Sequence, residues 1–135
     1  MSALVTVKNL KKYFPLKTGI FRRETVWVKA LDDVSFDIQD GETLGVVGES
    51  GCGKSTLGRT ILRMQEATAG EIIFGGDNIA AMDKESLRLK RREMQLIFQD
   101  PFSSLNPRMS VGDIIGEPLE IHLALDREER KKRVE

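Results

Sequence analysis

Gly48-Glu49-Ser50-Gly51-Cys52-Gly53-Lys54-Ser55-Thr56 sets three glycines ahead of a Lys-Ser-Thr triplet. It completes a G-x-x-x-x-G-K-S phosphate loop directly after the apolar run Leu44 to Val47. Gly48, Gly51 and Gly53 permit backbone angles closed to residues with side chains, so successive N–H groups can converge on phosphate oxygens. Lys54 supplies a point charge for the β- and γ-phosphates and Ser55 a hydroxyl for Mg2+, while the positive end of the following helix adds to the same field. Working outward, Thr43 to Val47 reads as a strand entering the loop, and Leu57, Ile61, Leu62 and Met64 follow at near-helical spacing. Strand, glycine loop and helix in that order predict binding of a nucleoside triphosphate.

Composition bounds the alternatives. Apolar residues make up 40% of the chain and charged residues 31%, with 21 basic against 21 acidic side chains, so the net charge gives no global argument for nucleic acid. No apolar run approaches the roughly 18 residues of a membrane span, and Met1 to Val7 lacks the basic-then-apolar layout of a secretory signal. The expectation is a soluble chain that neither crosses a membrane nor is exported. A single Cys excludes an internal disulfide, and one Cys with one His cannot build a structural zinc site.

Short strands come first and helices later, which predicts an α+β layer feeding into an α/β core. Leu4 to Val7, Val26 to Ala30 and Val34 to Ile38 read as strands, with Gln39-Asp40-Gly41-Glu42 as a turn. Pro15 to Glu24 reads as a basic, irregular excursion. Beyond the phosphate-loop helix, Glu71 to Phe74 is a strand ended by Gly75-Gly76-Asp77-Asn78, Asp83 caps a helix running through Leu87 to Arg91, and Met94 to Phe98 is a buried strand. The two prolines of Gln99-Asp100-Pro101-Phe102-Ser103-Ser104-Leu105-Asn106-Pro107 mark a loop.

Three blocks now join: Ala30-Leu31-Asp32-Asp33-Val34-Ser35-Phe36, Gly41 to Thr56, and Phe98-Gln99-Asp100-Pro101. Together they resemble an ABC-transporter ATPase, and the likeness runs almost the whole chain. Phe98 to Met109, followed by Val111-Gly112-Asp113-Ile114-Ile115 and Glu117-Pro118-Leu119, closely resembles the ATP-binding subunits of bacterial oligopeptide and dipeptide importers. Importers of nickel or glutathione share the pattern.

The resemblance implies an α/β P-loop NTPase of the ABC ATPase type, with an N-terminal antiparallel β layer and the start of a helical subdomain. It makes Gly48, Glu49, Ser50, Gly51, Cys52, Gly53, Lys54, Ser55 and Thr56 the ATP-binding Walker A loop. Gln99 becomes the Q-loop glutamine, near Mg2+ and the attacking water, so Lys54 and Gln99 are the catalytic candidates and Ser55 and Gln99 the metal candidates. An aromatic shortly before the second strand stacks on adenine in the family; Tyr13 occupies the matching place, with Phe14 adjacent and Trp27 near. Permease subunits would dock at the Q-loop region, including Pro101 to Asn106 and Val111 to Leu119. A second ATPase subunit would complete the dimer on the cytoplasmic face of the bacterial inner membrane, and no nucleic acid is expected.

The departures from the family pattern shape a further expectation. The LSGGQ-type signature, the acidic strand with its catalytic Glu, and the switch histidine all belong downstream of the Q-loop, and none occurs in these 135 residues. His122 precedes any acidic strand and reads as an ordinary helix histidine. Asp126 with Glu129 begins a helix that runs to Glu135 without a stop signal, and the interleaved charges of Arg130-Lys131-Lys132-Arg133 read as a solvated face. The chain is therefore expected to be the N-terminal part of one ABC ATPase domain, with residues 1–98 the β layer and partial core, and 99–135 the Q-loop and start of the helical subdomain. Its intact parent would couple MgATP hydrolysis to uptake of oligopeptides or dipeptides; the alternatives are a nickel- or glutathione-type importer ATPase, or a nucleotide-binding fragment without catalysis.

Overall fold

The structure, a computed structural model, describes residues 3–18, 24–100, 104–123 and 125–135. They separate into two compact units, Met1–Leu87 and Arg88–Glu135.

In the first unit, β1 (Val5–Thr18) and β2 (Glu24–Ile38) form a long antiparallel hairpin, with Val5 opposite Ile38 and Thr18 opposite Glu24. β3 (Ala69–Phe74) pairs antiparallel with the other edge of β1, and the two-residue β4 (Asp77–Asn78) with β3, giving the order β2-β1-β3-β4. Against β1 and β2 sits α1 (Lys54–Ile61), which buries Leu57 and Thr60. Val7, Leu10, Leu31, Leu57, Ile72, Ile79 and Leu87 are the buried apolar set among the described residues.

The hairpin is bent by a bulge, and the residues that bend it suit the task. Register shifts between Val7 and Leu10, where Asn9 and, across from it, Asp33 take left-handed backbone angles with φ 47° and 66°. Asn and Asp tolerate that region better than other side-chain-bearing residues. Asn9 Nδ2 donates to Asp33 Oδ1 at 2.9 Å, and the Asn9 amide to Ser35 Oγ at 2.8 Å, so polar groups released by the irregular ladder find partners. Gly70, with φ 99°, lies against this bulge: a Cβ there would fall 2.6 Å from the Asn9 carbonyl oxygen and 2.7 Å from Leu10 Cα.

At the end of α1, Arg63 N–H donates to the Thr60 carbonyl and Met64 N–H to the Arg59 carbonyl, the paired bonds of a Schellman stop. Arg63 takes the left-handed position, φ 49°, that glycine usually fills. Its guanidinium offsets that strain by donating to the carbonyls of Ile79 and Met82, which ties the helix exit to the chain after β4.

Three expectations meet a different outcome. Pro15 to Thr18 continues β1 rather than starting an irregular excursion, with Pro15 opposite Trp27. The last β3 partner of β1 is at Lys11, so Pro15 lies where β1 has become an edge, the place in a sheet where a missing N–H is tolerated. Thr43 to Val47 and Met94 to Phe98, expected as strands, join no ladder among the described residues. A strand needs a neighbour to satisfy its backbone and cover its side chains; without one here, Val47 and Ile97 are each 93% exposed.

Asp83 caps α2 (Lys84–Lys90) as expected: its carboxylate accepts the backbone N–H of Glu85 and of Ser86, both at 2.9 Å. A 3-10 turn, Arg91–Glu93, continues it. In the second unit, Ser110 opens α3 (Val111–Leu123), its Oγ accepting from the Asp113 amide and donating to the Asp113 carboxylate at 2.6 Å. Asp126 caps α4 (Arg127–Val134) by accepting the Glu129 N–H at 2.9 Å. The two helices pack together, with Arg130 paired to Glu120 and Gly116 buried beneath the Arg130 side chain.

Candidate functional site

The phosphate-loop residues form an exposed turn leading into α1, with Gly51 at φ 83° and Gly53 at φ 101°, both left-handed as their positions require. Gly53 is the N-cap of α1, and a Cβ on it would come within 2.5 Å of the Ala30 carbonyl oxygen. Glycine therefore lets the loop seat directly on the backbone of β2. The first α1 amide bonded back along the chain is that of Leu57, to the Gly53 carbonyl at 2.8 Å. The amides of the preceding turn, at Lys54, Ser55 and Thr56, are the ones a helix leaves without intrahelical acceptors.

Lys54 folds back over the loop. Its ammonium donates to the Gly48 carbonyl at 2.7 Å and the Glu49 carbonyl at 2.6 Å, and lies 3.6 Å from Cys52 Sγ. A cation is thus held above the loop, beside the helix end that already carries partial positive charge. Ser55, in the first turn of α1, is exposed, as are Glu49, Ser50 and Cys52; Thr56 is half-buried. Among the described residues no cluster of three or more His, Cys, Asp or Glu could hold a metal ion; Ser55 presents its hydroxyl oxygen at the start of α1.

Tyr13 belongs to the same unit. Its register partner in β2 is Lys29, one residue before the Ala30 on which Gly53 rests. The Tyr13 hydroxyl donates to Asp32 Oδ1, Lys29 Nζ reaches Asp32 Oδ2 at 3.0 Å, and the Lys29 ammonium stands 5.4 Å from the centre of the Tyr13 ring. The Asp32 hydrogen bond, more than any other influence, raises the Tyr13 phenol above its ordinary value, and the Tyr13 and Lys29 donors hold the Asp32 carboxyl below the usual range. Asp32 and Lys29 are the two side chains that hold the Tyr13 ring. In the sequence Asp32 stands only inside the Ala30 to Phe36 block and Lys29 only inside the Val26 to Ala30 strand; the hairpin register, which sets Tyr13 opposite Lys29, brings both to the ring.

Phe14, the neighbouring aromatic, lies under the Lys12 ammonium at 4.9 Å, and Trp27 is 55% exposed beside Pro15. Gln99 is exposed and belongs to the second unit; Pro101 to Ser103 of the expected docking loop lie outside the described residues. Within that unit Ser104 Oγ donates to the Asp100 carbonyl at 2.8 Å, and His122 lies in α3, its carbonyl accepting from Arg92. Val111, Ile115 and Ile121 expose much of their apolar surface along α3.

A family model described as ABC transporter matches residues 31–135. The oligopeptide transport ATP-binding protein OppF of Bacillus subtilis is 53% identical over 133 residues, which is 97% of this chain and 41% of that protein. The dipeptide transport ATP-binding protein DppF of Haemophilus influenzae is 48% identical over 131 residues, 97% of this chain and 40% of that protein. Among solved structures, the dimeric ATP-binding cassette MJ0796 in a post-hydrolysis state, bound to ADP and Pi, superposes with a TM-score of 0.75 at 29% identity and covers 96% of this chain and 53% of its own. The chain spans about 40% of the length of the curated relatives it matches.

Proposed function

Starting from the premise that this chain belongs to the ABC transporter family, we propose that its 48–56 loop binds MgATP and that the whole protein couples ATP hydrolysis to uptake of oligopeptides or dipeptides. The fold is the α/β P-loop type of ABC ATPase cassettes. One observation carries the nucleotide reading: a glycine turn seated on β2 leads directly into α1, and the Lys54 ammonium folds back onto the Gly48 and Glu49 carbonyls of that turn.

In this reading Lys54 binds the β- and γ-phosphates, and Gly48, Glu49, Ser50, Gly51, Cys52, Gly53 and Thr56 contribute loop backbone around the phosphates. Ser55 offers its hydroxyl to Mg2+, which when bound neutralises charge on the transferred phosphoryl group. Tyr13 stacks on the adenine. Gln99, as the family resemblance implies, is a metal-approaching, catalytic and coupling residue of the whole protein. Residues 1–98 are the β layer and part of the core, and 99–135 the Q-loop and the beginning of the helical subdomain. Permease subunits dock at the Q-loop region and the exposed apolar side of α3, a second ATPase subunit completes the nucleotide sites, and the assembly works at the cytoplasmic face of the bacterial inner membrane.

The coupling role has a direct test. In a reconstituted importer carrying the whole protein, Gln99→Ala should cut peptide uptake at least about tenfold while ATP affinity stays within about twofold of wild type. Uptake per ATP consumed that matches wild type would remove Gln99 from the coupling path.

A further inference from the structure

The Tyr13 ring is held at both ends. At its backbone end the Tyr13 amide donates to Thr68 Oγ1 at 2.9 Å, Thr68 N–H donates to the Lys11 carbonyl at 2.7 Å, and Lys12 Nζ reaches the Glu66 carbonyl at 2.7 Å. The stretch between α1 and β3 thus grips β1 at Lys11, Lys12 and Tyr13. At the hydroxyl end Asp32 accepts from the phenol and is itself held by Lys29. The Lys29 ammonium stands over one face of the ring, and Tyr13 as a whole is half-buried rather than enclosed. All of this lies on the strands against which the phosphate loop is seated, since Gly53 abuts Ala30.

We propose that Asp32 and Lys29 are positioning residues for the base of the bound nucleotide: they lock the Tyr13 ring by its hydroxyl, close one face with a cation, and reserve the other as a rigid platform for a purine. The inference rests on the reading that the 48–56 loop binds ATP. A ring able to swing about its first two torsions must be ordered when a base stacks on it; a ring already fixed at both ends avoids that entropy cost. Lys29 serves a second purpose, because its ammonium pairs with the Asp32 carboxylate that anchors the ring. The remaining charges that act on the pair, Lys11 and Asp33, oppose each other in sign.

The test compares ATP with inorganic triphosphate, which keeps the phosphates and lacks the base, by titration calorimetry on the whole chain. Tyr13→Phe keeps the ring and loses the anchor; Asp32→Ala loses the anchor from the other side. Each should weaken ATP binding about threefold to tenfold and leave triphosphate affinity unchanged, and the double variant should be no worse than either single one. The chain has one tyrosine, so phenolate absorbance reports Tyr13 alone, and Asp32→Ala should bring its titration down from the raised position. ATP affinities of Tyr13→Phe and Asp32→Ala equal to wild type, with Tyr13→Ala impaired, would overturn the positioning role and leave base stacking intact. If Tyr13→Ala bound ATP normally while Lys54→Ala did not, the platform itself would be refuted; if Lys54→Ala changed neither affinity, the ATP reading beneath it would fall.

Discussion

The strand segment around Val7 and the segment Leu44 to Val47 are both short apolar runs, yet they end up in opposite surroundings. Val7 and Leu10 of β1, with Ile72 of β3, are at most 1% exposed, whereas Leu44, Val46 and Val47 are 40%, 50% and 93% exposed. Hydrophobicity does not separate them; partners do. β1 has β2 on one side and β3 on the other, while Leu44 to Val47 has no ladder among the described residues. Burial is a property of an arrangement, and a run of apolar residues supplies only one half of it.

Truncation on the buried side should cost the most. Leu10→Ala and Ile72→Ala remove fully buried side chains and should each destabilise the first unit by about 2–5 kcal/mol in chemical denaturation, whereas Val47→Ala and Ile97→Ala should stay within about 0.5 kcal/mol of wild type. Equal losses from both sets would mean that the exposed segments are packed in solution. A smaller effect is expected on the exposed side. Unpaired apolar segments favour association, so Val47→Lys with Ile97→Lys should lower self-association in sedimentation velocity while leaving the denaturation midpoint in place. Unchanged association would separate exposure from stickiness.

The smallest effect concerns a contact wholly local to one helix start. The Ser86 amide, foremost among its donors, holds the Asp83 carboxyl below the usual aspartate range. A folded-state value lowered below the unfolded one contributes stability at pH above the ordinary aspartate value, and that contribution is lost as pH falls through the lowered value. Asp83→Asn keeps an N-cap acceptor and removes the titration, so its stability should fall less steeply on the acid side than that of wild type. Parallel acid limbs for the two proteins would contradict the assignment.

The same division explains what the sequence makes legible. The phosphate loop is readable because its glycines answer to geometry within nine consecutive residues, and the caps Asp83 and Asp126 because each reaches only two or three residues along the chain. Strand identity at Thr43 to Val47 and Met94 to Phe98 depends on neighbours that no local pattern specifies. Pro15 reads as a breaker until the sheet order shows that β1 is an edge there. The Tyr13–Asp32 bond spans 19 positions and exists because a bulged hairpin sets Tyr13 opposite Lys29, so the ring was visible in the sequence and its anchor was not. Asn9 and Asp33, which help shape that bulge, are likewise unremarkable until they face each other.

The measurement that bears most directly on the central claim is the ATP affinity of the whole chain, wild type against Lys54→Ala, by titration calorimetry on folded samples. A charge-assisted phosphate contact contributes roughly 1.5–3 kcal/mol, so the variant should bind at least about tenfold more weakly. An affinity unchanged by the loss of Lys54 would contradict the assignment of residues 48–56 as the nucleotide site.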